Sequence, residues 1–482
     1  MGSLFDKVAA LWPTTGPLST ALGQRAALGV FTALAAAVPL GWREDFVVVL
    51  AEVMLVGLLV LVSGLYLQRS EPGVWERLRD LSILSVLVLG VVYGTWLVAV
   101  FVPTIPPFVL PIPLSAVLAT LLLNPRVGVL LAILGSGVAV LFGVLEGAHV
   151  VGALIAAAAG ATAMASVRDR SRLASAGGLI VVVTGAAALG ASVLEGDALA
   201  SALRAGALGV GGGVLTVGLV LLLLPLFERV FGVTTDVRLL EVAAPSHPLL
   251  QRLMMEAPGT YSHSVMTANL AEAAAAAVGA NRLLTRVGAY YHDVGKLRRP
   301  GFFAENQSCS ANPHDNTTPA LSALIITAHV TEGVQLAEEY RLPREIVDVI
   351  RQHHGTSIVS YFYSKATAKG EPVVEADYRY SGELPTSREA ALVMLADASE
   401  AAMRSLTNPT PERIAGVVRK VIETKRADHQ LDLSDLTIAD IELVTGVYAQ
   451  MLEGVYHPRI EYPEFAEGSD QHAGQRQQPS RA

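Results

Sequence analysis

Cysteine and charge are both scarce in this chain of 482 residues, and each scarcity excludes a class of protein. The single cysteine, Cys309, excludes a disulfide framework and a thiolate zinc site within the chain. Charged residues make up 16% of the sequence, against roughly 25% in an average soluble domain. The net charge of −8 argues against a scaffold for nucleic-acid polymers. Hydrophobic residues, at 52%, are what the chain has in excess.

The hydrophobic residues are concentrated in the first half. From Ala27 to Phe227 the sequence is mostly Leu, Val, Ala and Gly, interrupted by short charged joints. From Glu228 onward, charges recur at helical spacing, as they do in a soluble protein. Ten of the eleven histidines lie at or after His247. We therefore predict a membrane domain followed by a soluble domain that carries the chemistry.

Apolar runs in the first half are long enough to cross a bilayer, which takes about 20 residues for a core of roughly 30 Å. We predict eight transmembrane helices, at residues 27–42, 46–67, 81–102, 106–123, 127–145, 149–167, 174–193 and 205–227. The first run is short, and a cleaved signal peptide is the competing interpretation of it. A second long run follows almost at once, so we favour a transmembrane helix.

Arginines alternate between the joints that connect these spans. The even-numbered joints carry most of them: Arg69, Arg77 and Arg79 in the second, Arg126 in the fourth, and Arg168, Arg170 and Arg172 in the sixth. The odd-numbered joints hold only Arg43 and Arg204. Because cytoplasmic loops are enriched in Lys and Arg, the even joints are predicted to be cytoplasmic. Lys7 and Arg25 place the N-terminus on the same side, and eight spans return the second half to the cytoplasm.

The second half is predicted to be an all-α bundle joined to the membrane by a connector. Two short amphipathic pieces, separated by Pro245 and Pro248, form either a structural linker or a lever. Helical spacing predicts helices at 262–278, 282–296, 321–340, 344–354 and 386–406, with Thr410 and Thr437 capping two more. Only 373–385 is predicted to be extended or looped. The domains are then a cytoplasmic segment at 1–26, the transmembrane domain at 27–227, the connector at 228–259, a cytoplasmic domain at 260–465 and a disordered tail at 466–482.

A set of histidines and aspartates on these helices forms a candidate metal site. Its members are His263, His292, Asp293, His329, His353, His354 and Asp397. A lone helical histidine is more often a core or surface residue, but Asp397 lies in the apolar run AALVMLADA, where a carboxylate without a partner is costly to bury. A metal ion is the expected partner. The adjacent pairs His292-Asp293 and His353-His354 can point to two neighbouring ions.

Imidazole and carboxylate ligands without thiolate suit iron, manganese, zinc or another first-row divalent ion. Two such ions roughly 3.5–4 Å apart generate a hydroxide and hold a phosphoryl group for in-line displacement. Asp293 is suited to bridge them, and Lys296 to stabilise the negative charge of the transition state. A cation near a helix C-terminus also has a purely structural explanation, and the two roles are compatible.

His263, His292-Asp293 and Asp397 resemble the ligands of the HD superfamily of metal-dependent phosphohydrolases, and His329 with His353-His354 resemble its two-metal branch. The segments APGTYSHSVMTANLAEAAA, GAYYHDVGKLRRPGFFAENQ, NPHD and QHHGTSIVSYFY are similar to those of seven-transmembrane HD receptors, and the likeness runs from about Leu239 to Pro463. The resemblance implies a multi-pass protein of the bacterial inner (plasma) membrane that hydrolyses cyclic di-AMP to 5′-pApA. It implies one metal, iron or manganese, held by His263, His292, Asp293 and Asp397. A second metal would be held by His329, His353 and His354, with Asp293 shared.

The chain departs from this family in one respect. Family members usually carry a large extracytoplasmic domain between the first span and the other seven, where this sequence has only Arg43-Glu44-Asp45 and their neighbours. Sensing by such a domain is therefore not expected. The membrane half would respond to lipid, to a small molecule between its helices or to a partner protein.

Contacts to the nucleotide are predicted from side chains between the ligand-bearing helices. Tyr363, Arg379 and Tyr380 could stack on or neutralise a nucleotide together with Lys296, and loop packing is the alternative interpretation. Further candidates of the same kind are Tyr361, Asn312 and His314.

Three other functions fit the sequence less well. A cyclic di-GMP phosphodiesterase of the HD-GYP type would have Gly-Tyr-Pro after the histidine pair, where this chain has Gly355-Thr356-Ser357. A non-catalytic cyclic-dinucleotide receptor would be expected to have lost a ligand, and a transporter leaves the ligand set unexplained. The predicted partners are a cyclic dinucleotide and the lipid bilayer, and a homodimer or a membrane partner protein is left open.

Overall fold

The computed structural model describes residues 21–39, 46–101, 107–165, 170–307, 312–368, 373–407 and 409–456. Over these residues the secondary structure is helical, with one isolated antiparallel bridge between Ile358 and Arg379. The predicted all-α fold class is confirmed. Most of the predicted N-terminal segment, all of the predicted tail and the joint around Arg168 lie outside the described residues.

Nine helices make up the first half of the described chain. They are α1 (Ala21–Ala37), α2 (Phe46–Ser70), α3 (Pro72–Trp75), α4 (Leu78–Phe101), α5 (Ile112–Leu122), α6 (Pro125–Leu141), α7 (Ala148–Met164), α8 (Arg170–Leu194) and α9 (Leu199–Phe231). Apart from the one-turn α3, each overlaps one predicted span. Length and composition alone would let α2, α4, α8 and α9 cross a membrane, and the other four are shorter apolar helices. Side chains such as Val182 and Leu222 are 65% and 70% exposed, which suits contact with lipid.

The predicted span at 106–123 needs correction. Its α-helix begins only at Ile112, and its 11 residues rise by about 16 Å, roughly half of a bilayer core. Pro107 and Pro111 lie just before it and lack the amide hydrogen that an earlier start of the helix would use. A further helix, Pro319–Glu339, meets the length and hydropathy criterion for a span. It carries His329 and belongs to the second half, where no span was predicted.

The connector contains the two short helices that its sequence predicts. Helix α10 (Asp236–Val242) is capped by Thr235, whose hydroxyl accepts a hydrogen bond from the amide of Arg238, and α11 (Pro248–Glu256) starts with a first-turn proline. Leu239 and Val242 on α10 are buried in one apolar cluster with the side chain of Tyr291. The connector is therefore packed against the second half.

The second half consists of α12 (Pro258–Val278), α13 (Arg282–Tyr291), α14 (Pro319–Glu339), α15 (Arg344–Gln352), α16 (Ser360–Thr367), α17 (Arg388–Arg404), α18 (Pro411–Ala427) and α19 (Ile438–Val455). Thr410 and Thr437 cap α18 and α19 as predicted, and Asp440 completes a capping box. Helix α17 is capped by Ser387 and begins two residues later than the predicted start at residue 386, because Thr386 is hydrogen-bonded to Gln352. Helix α16 was not predicted.

The predicted helix at 282–296 is divided in the structure. Helix α13 ends at Tyr291, and a 3-10 helix, Val294–Arg298, follows the His292-Asp293 pair. Gly295 lies in this turn and packs directly on α14. This close approach requires glycine, because a Cβ at this position would lie 1.8 Å from the carbonyl oxygen of His329. This contact holds two ligand-bearing segments against each other.

Helix α17 runs through the centre of the second half. Every residue from Ala390 to Ala396 is buried, and the hydroxyl of Tyr448 on α19 donates a hydrogen bond of 2.8 Å to the carbonyl oxygen of Leu392. Helices α12, α18 and α19 supply most of the other apolar side chains of this core. This part of α17 is apolar on all sides because other helices surround it, and it places Asp397 in the interior.

Candidate metal centre

The seven predicted ligands come together from five different helices, and the pairs His292-Asp293 and His353-His354 directly follow the ends of α13 and α15. They form two groups whose ligand atoms lie within 4.8 Å of one another: His263, His292, Asp293 and Asp397 in cluster A, and Asp293, His329, His353 and His354 in cluster B. Asp293 is common to both. The grouping is the same as the one that the family resemblance implied.

The two carboxylate oxygens of Asp293 face different clusters. Oδ2 lies 3.2 Å from His292 Nε2 and 3.5 Å from His263 Nε2. Oδ1 lies 3.3 Å from His329 Nε2 and 3.7 Å from His353 Nε2. A carboxylate directed to two ligand sets in this way is arranged to bridge two ions.

Backbone carbonyls orient three of the histidine rings. The Nδ1 atoms of His292, His329 and His353 lie 2.6–2.7 Å from the carbonyl oxygens three residues earlier, on Ala289, Ile326 and Ile350. With Nδ1–H donating outward, Nε2 of each ring is directed into the site. This outer contact is typical of histidines that bind metal, because it fixes the tautomer and the ring orientation.

A carboxylate that the sequence analysis missed holds the fourth ring. His263 Nδ1 donates to Glu400 Oε2 at 2.6 Å, while Arg404 donates to the other oxygen of Glu400 at 2.9 Å. His263 Nε2 faces Asp397 Oδ1 at 3.0 Å. Glu400 lies three residues after Asp397 on α17, so the same helix face carries both carboxylates. That spacing was the available signal.

The clusters contain buried polar atoms that suit an ion. Within the part of the chain that the structure describes, His292 Nε2 and Asp293 Oδ1 lack a hydrogen-bond partner of regular geometry, and Asp293 Oδ2 forms an ion pair with Lys296. These are the atoms that point into the clusters, and Asp293 is only 1% exposed. Buried carboxylates are normally paired or bound to metal, so this donor set fits divalent ions.

The two clusters differ in protonation. Burial alone would keep His292 neutral, but the carboxylates of Asp293 and Asp397 outweigh burial and raise its pKa to about 10. His353 experiences burial together with the neighbouring His292 and His329, which lowers its pKa to about 3. The pKa of His354 is also lowered, first by burial and then by His353. Without metal, the raised pKa of His292 favours a proton on the imidazole of cluster A, whereas the lowered pKa values of His353 and His354 favour neutral imidazoles in cluster B.

Lys296 lies beside the site and is held by two carboxylates. Its Nζ is 2.7 Å from Asp293 Oδ2 and 2.7 Å from Glu305 Oε1. Burial would lower the pKa of this ammonium, but Asp293 and Glu305 raise it above its usual range. The sequence analysis missed Glu305, which also accepts a hydrogen bond from Thr260 at 3.1 Å.

The residues predicted to contact a nucleotide occupy different environments. Tyr380 stacks on the ring of His354, with centroids 4.2 Å apart, and so forms one wall of cluster B. Arg379 is engaged by Asp428 at 2.9 Å and by Glu375 at 2.8 Å. Tyr363 packs edge-on against Tyr378.

The three further candidates for nucleotide contacts also occupy different environments. His314 is buried between Phe302 and Phe362, and Asn312 accepts a hydrogen bond from its amide. Tyr361 is 68% exposed. The structure therefore brings Lys296 and Tyr380 to the metal centre, and it pairs Arg379 elsewhere.

Replacing Glu400 should test its role in holding His263. Glu400→Gln is expected to lower metal affinity or turnover by about 10–100-fold, because the neutral amide supports the imidazole less strongly. Manganese binding followed by electron paramagnetic resonance would measure the affinity. Glu423→Gln, on the exposed face of α18, is the matched control. Unchanged metal binding in Glu400→Gln would contradict the assignment.

Metal binding to cluster A should release protons. Because His292 is protonated below its pKa of about 10, an ion must displace that proton, and apparent affinity should rise with pH up to about 10. Calorimetric titration of manganese into metal-free protein, in two buffers of different ionisation enthalpy, counts the protons. At pH 8, binding of the first ion is expected to release at least about one proton, and none of the released protons should come from His353. Binding without proton release would contradict this charge distribution.

Comparisons with known proteins match each half of the chain to a family model. The family model described as "7TM receptor with intracellular HD hydrolase" matches residues 46–235, and the HD domain model matches residues 260–402. Cyclic-di-AMP phosphodiesterase PgpH of Bacillus subtilis (strain 168) is 42% identical over 369 residues, which is 74% of this chain and 51% of that protein. PgpH of Listeria monocytogenes is 46% identical over 256 residues, covering 53% of this chain and 35% of that protein. The chain thus spans about half the length of the Bacillus relative, and about a third of the Listeria one.

Solved structures of the L. monocytogenes PgpH HD domain, alone and in complex with cyclic di-AMP, are 46% identical to this chain. They match 44% of it and 100% of their own length, with TM-scores of 0.42 and 0.43. The two family models follow each other along the chain in the order that the architecture requires, membrane helices first and HD domain second. This protein belongs to the family of seven-transmembrane receptors with an intracellular HD hydrolase domain.

Proposed function

We propose that this protein is a membrane-bound phosphodiesterase that hydrolyses cyclic di-AMP to 5′-pApA. The observation that carries the proposal is Asp293, whose two oxygens face two separate ligand clusters 3.2–3.7 Å away. That geometry suits two-metal hydrolysis of a phosphodiester. The substrate is proposed from the relatives, since both PgpH proteins are named cyclic-di-AMP phosphodiesterases.

Iron or manganese is the proposed metal, because the site offers imidazole and carboxylate without thiolate. One ion would be held by His263, His292, Asp293 and Asp397, and the other by Asp293, His329, His353 and His354. Divalent ions in such sites lower the pKa of bound water and stabilise the charge that develops on the phosphoryl oxygens.

The chain's own residues orient this chemistry. Lys296, 2.7 Å from Asp293, keeps a positive charge beside the position where a phosphodiester would carry its negative charge. Glu400 keeps the proton on His263 Nδ1, so that Nε2 stays free to bind metal. Tyr380 covers His354 and offers an aromatic edge beside cluster B, where an adenine could pack.

The proposed arrangement in the membrane follows from the arginines. The transmembrane domain at 27–227, the connector at 228–259 and the HD domain at 260–465 are the proposed divisions, with the N-terminus and the HD domain cytoplasmic. Labelling of single-cysteine variants with an impermeant reagent in intact cells would test the orientation. Cysteines placed at Arg77 or Arg126 should stay unlabelled, and one at Arg204 should react.

The activity is tested with the full chain in detergent or nanodiscs. Manganese or ferrous iron is supplied with cyclic di-AMP or cyclic di-GMP, and the products are separated by chromatography. Release of pApA from cyclic di-AMP, lost in Asp293→Ala, is the expected result. Preference for cyclic di-GMP would overturn the proposed substrate. Tight binding of cyclic di-AMP without turnover would indicate a receptor instead of an enzyme.

A further inference from the structure

A cavity lies at the boundary between the membrane helices and the connector, away from the metal centre. It has a volume of about 780 Å³ and is lined by the end of α7, the first part of α8, the middle of α9 and one side of α10, with one side open. Its walls are apolar except for Glu241, which is paired with Arg238 at 2.9 Å. A cavity so poor in polar groups suits a hydrocarbon chain better than a nucleotide or an ion.

The walls of this cavity continue into surfaces that face lipid. Val214 and Leu221 line the cavity and are 57% and 54% exposed. Leu222, the next residue, is 70% exposed. In a bilayer such side chains contact acyl chains, so an acyl chain can enter the cavity without crossing water.

Positive charge lies next to the cavity on the predicted cytoplasmic side. Ala174 lines the cavity, and Arg172, two residues earlier on α8, is exposed. Arg168 and Arg170 precede it in the sequence. Basic residues beside a transmembrane helix attract anionic lipids, at about 1 kcal/mol for each Lys or Arg near the surface. We propose that the cavity binds the acyl chain of an anionic phospholipid whose head group lies at Arg172, in the first turn of α8.

Helix α10 connects this site to the metal centre. Val237, Leu240 and Glu241 on one side of α10 line the cavity, while Leu239 and Val242 on the other side are buried in the core of the second half. The hydroxyl of Tyr291 donates a hydrogen bond of 2.7 Å to the carbonyl oxygen of Val242. Tyr291 directly precedes His292 and Asp293. An occupant of the cavity therefore contacts the same short helix that holds the metal-bearing turn.

Two glycines in the cavity wall permit a direct test. Gly178 on α8 and Gly218 on α9 line the cavity, and a Cβ built on either meets no atom within 4 Å. Leucine at these positions would enter the cavity without a backbone clash. Gly190 and Gly211 lie on the same two helices, have equally open surroundings and do not line the cavity. Gly190→Leu and Gly211→Leu are therefore the matched controls.

The full chain is reconstituted in nanodiscs that contain phosphatidylglycerol with a photoreactive acyl chain, and labelled peptides are identified by mass spectrometry. We expect label on residues 174–181 and 214–221. The Gly178→Leu, Gly218→Leu double variant, here called the filled variant, should be labelled about tenfold less, because its leucines exclude about two methylenes of the acyl chain from the cavity. The control variants should be labelled as strongly as the parent. A further apolar cavity is lined by α1, α2, α4 and α6. Equal labelling in the filled variant, or label concentrated on that further cavity, would overturn the site. Equal labelling by a photoreactive phosphatidylcholine would overturn the preference for anionic lipid.

The effect on catalysis rests on the proposed function and is measured separately. Hydrolysis of cyclic di-AMP should differ between phosphatidylglycerol and phosphatidylcholine nanodiscs for the parent and the controls, and not for the filled variant. A lipid response that persists in the filled variant would overturn the coupling through α10. An enzyme inactive in every lipid would instead refute the proposed activity, while the labelling result would still decide the lipid site.

Discussion

Asp293→Asn is expected to reduce hydrolysis by at least about 1000-fold, because losing both ions removes roughly 4 kcal/mol or more of transition-state stabilisation. Asp293 is the one ligand common to the two clusters, and each of its oxygens faces a different set of imidazoles. The amide keeps the shape of the side chain and removes its negative charge. Replacement of any other ligand should affect mainly one cluster.

The measurement is the initial rate of pApA release, with metal content determined on the same sample. Asp432→Asn, a substitution at an exposed position in the turn before α19, is the matched control and should keep the parent rate. His353→Gln should lose metal from cluster B and retain it in cluster A. If Asp293→Asn kept one ion at full occupancy and a substantial rate, Asp293 would not be the bridge.

Removing the metals is expected to destabilise the second half as well as abolish activity. An ion at a hundredfold excess over its Kd contributes about 2.7 kcal/mol to the free energy of unfolding. Two ions would contribute about 5 kcal/mol, which raises the Tm of a domain of this size by about 10–20 °C. The physical reason is that Asp293 and Asp397 are both buried, and bound cations offset the free-energy cost of burying their negative charges.

A fragment covering residues 236–456 allows this measurement without the membrane helices. Its thermal unfolding would be followed by circular dichroism with manganese and with chelator. Asp397→Asn, which weakens cluster A alone, should show about half of the metal-dependent shift. Equal Tm values with and without metal would show that the clusters do not bind ions in the folded state.

Five of the seven ligand candidates have a local signal in the sequence, whereas His263 and His329 are lone helical histidines that gain meaning only together with the others. His292-Asp293 and His353-His354 are adjacent pairs at helix ends, and Asp397 is a carboxylate in an apolar run. The helices that carry them follow from periodicity and from caps such as Thr437 with Asp440. The structure adds the distances, which depend on how five helices pack together.

The residues that support the ligands were not predicted, because their roles exist only after packing. Glu400 approaches His263 across 137 positions of sequence, and Glu305 meets Lys296 across a turn whose course is irregular. Arg379 illustrates the reverse case. Its charge suggested a nucleotide contact, but Asp428 on the neighbouring segment engages it with two hydrogen bonds of 2.9 and 3.1 Å.

The sequence by itself determined the order of the two halves, the helical class and the seven ligand candidates, since apolar length, periodicity and residue chemistry are local properties. The family followed from the resemblance of its segments to those of a known family. Only the tertiary structure decided which oxygen of Asp293 faces which cluster, that Gly295 brings the metal-bearing turn onto α14, and that α10 lies between a membrane cavity and Tyr291. These are distances between residues far apart in the chain, and they are set by how the buried side chains of separate helices fit together.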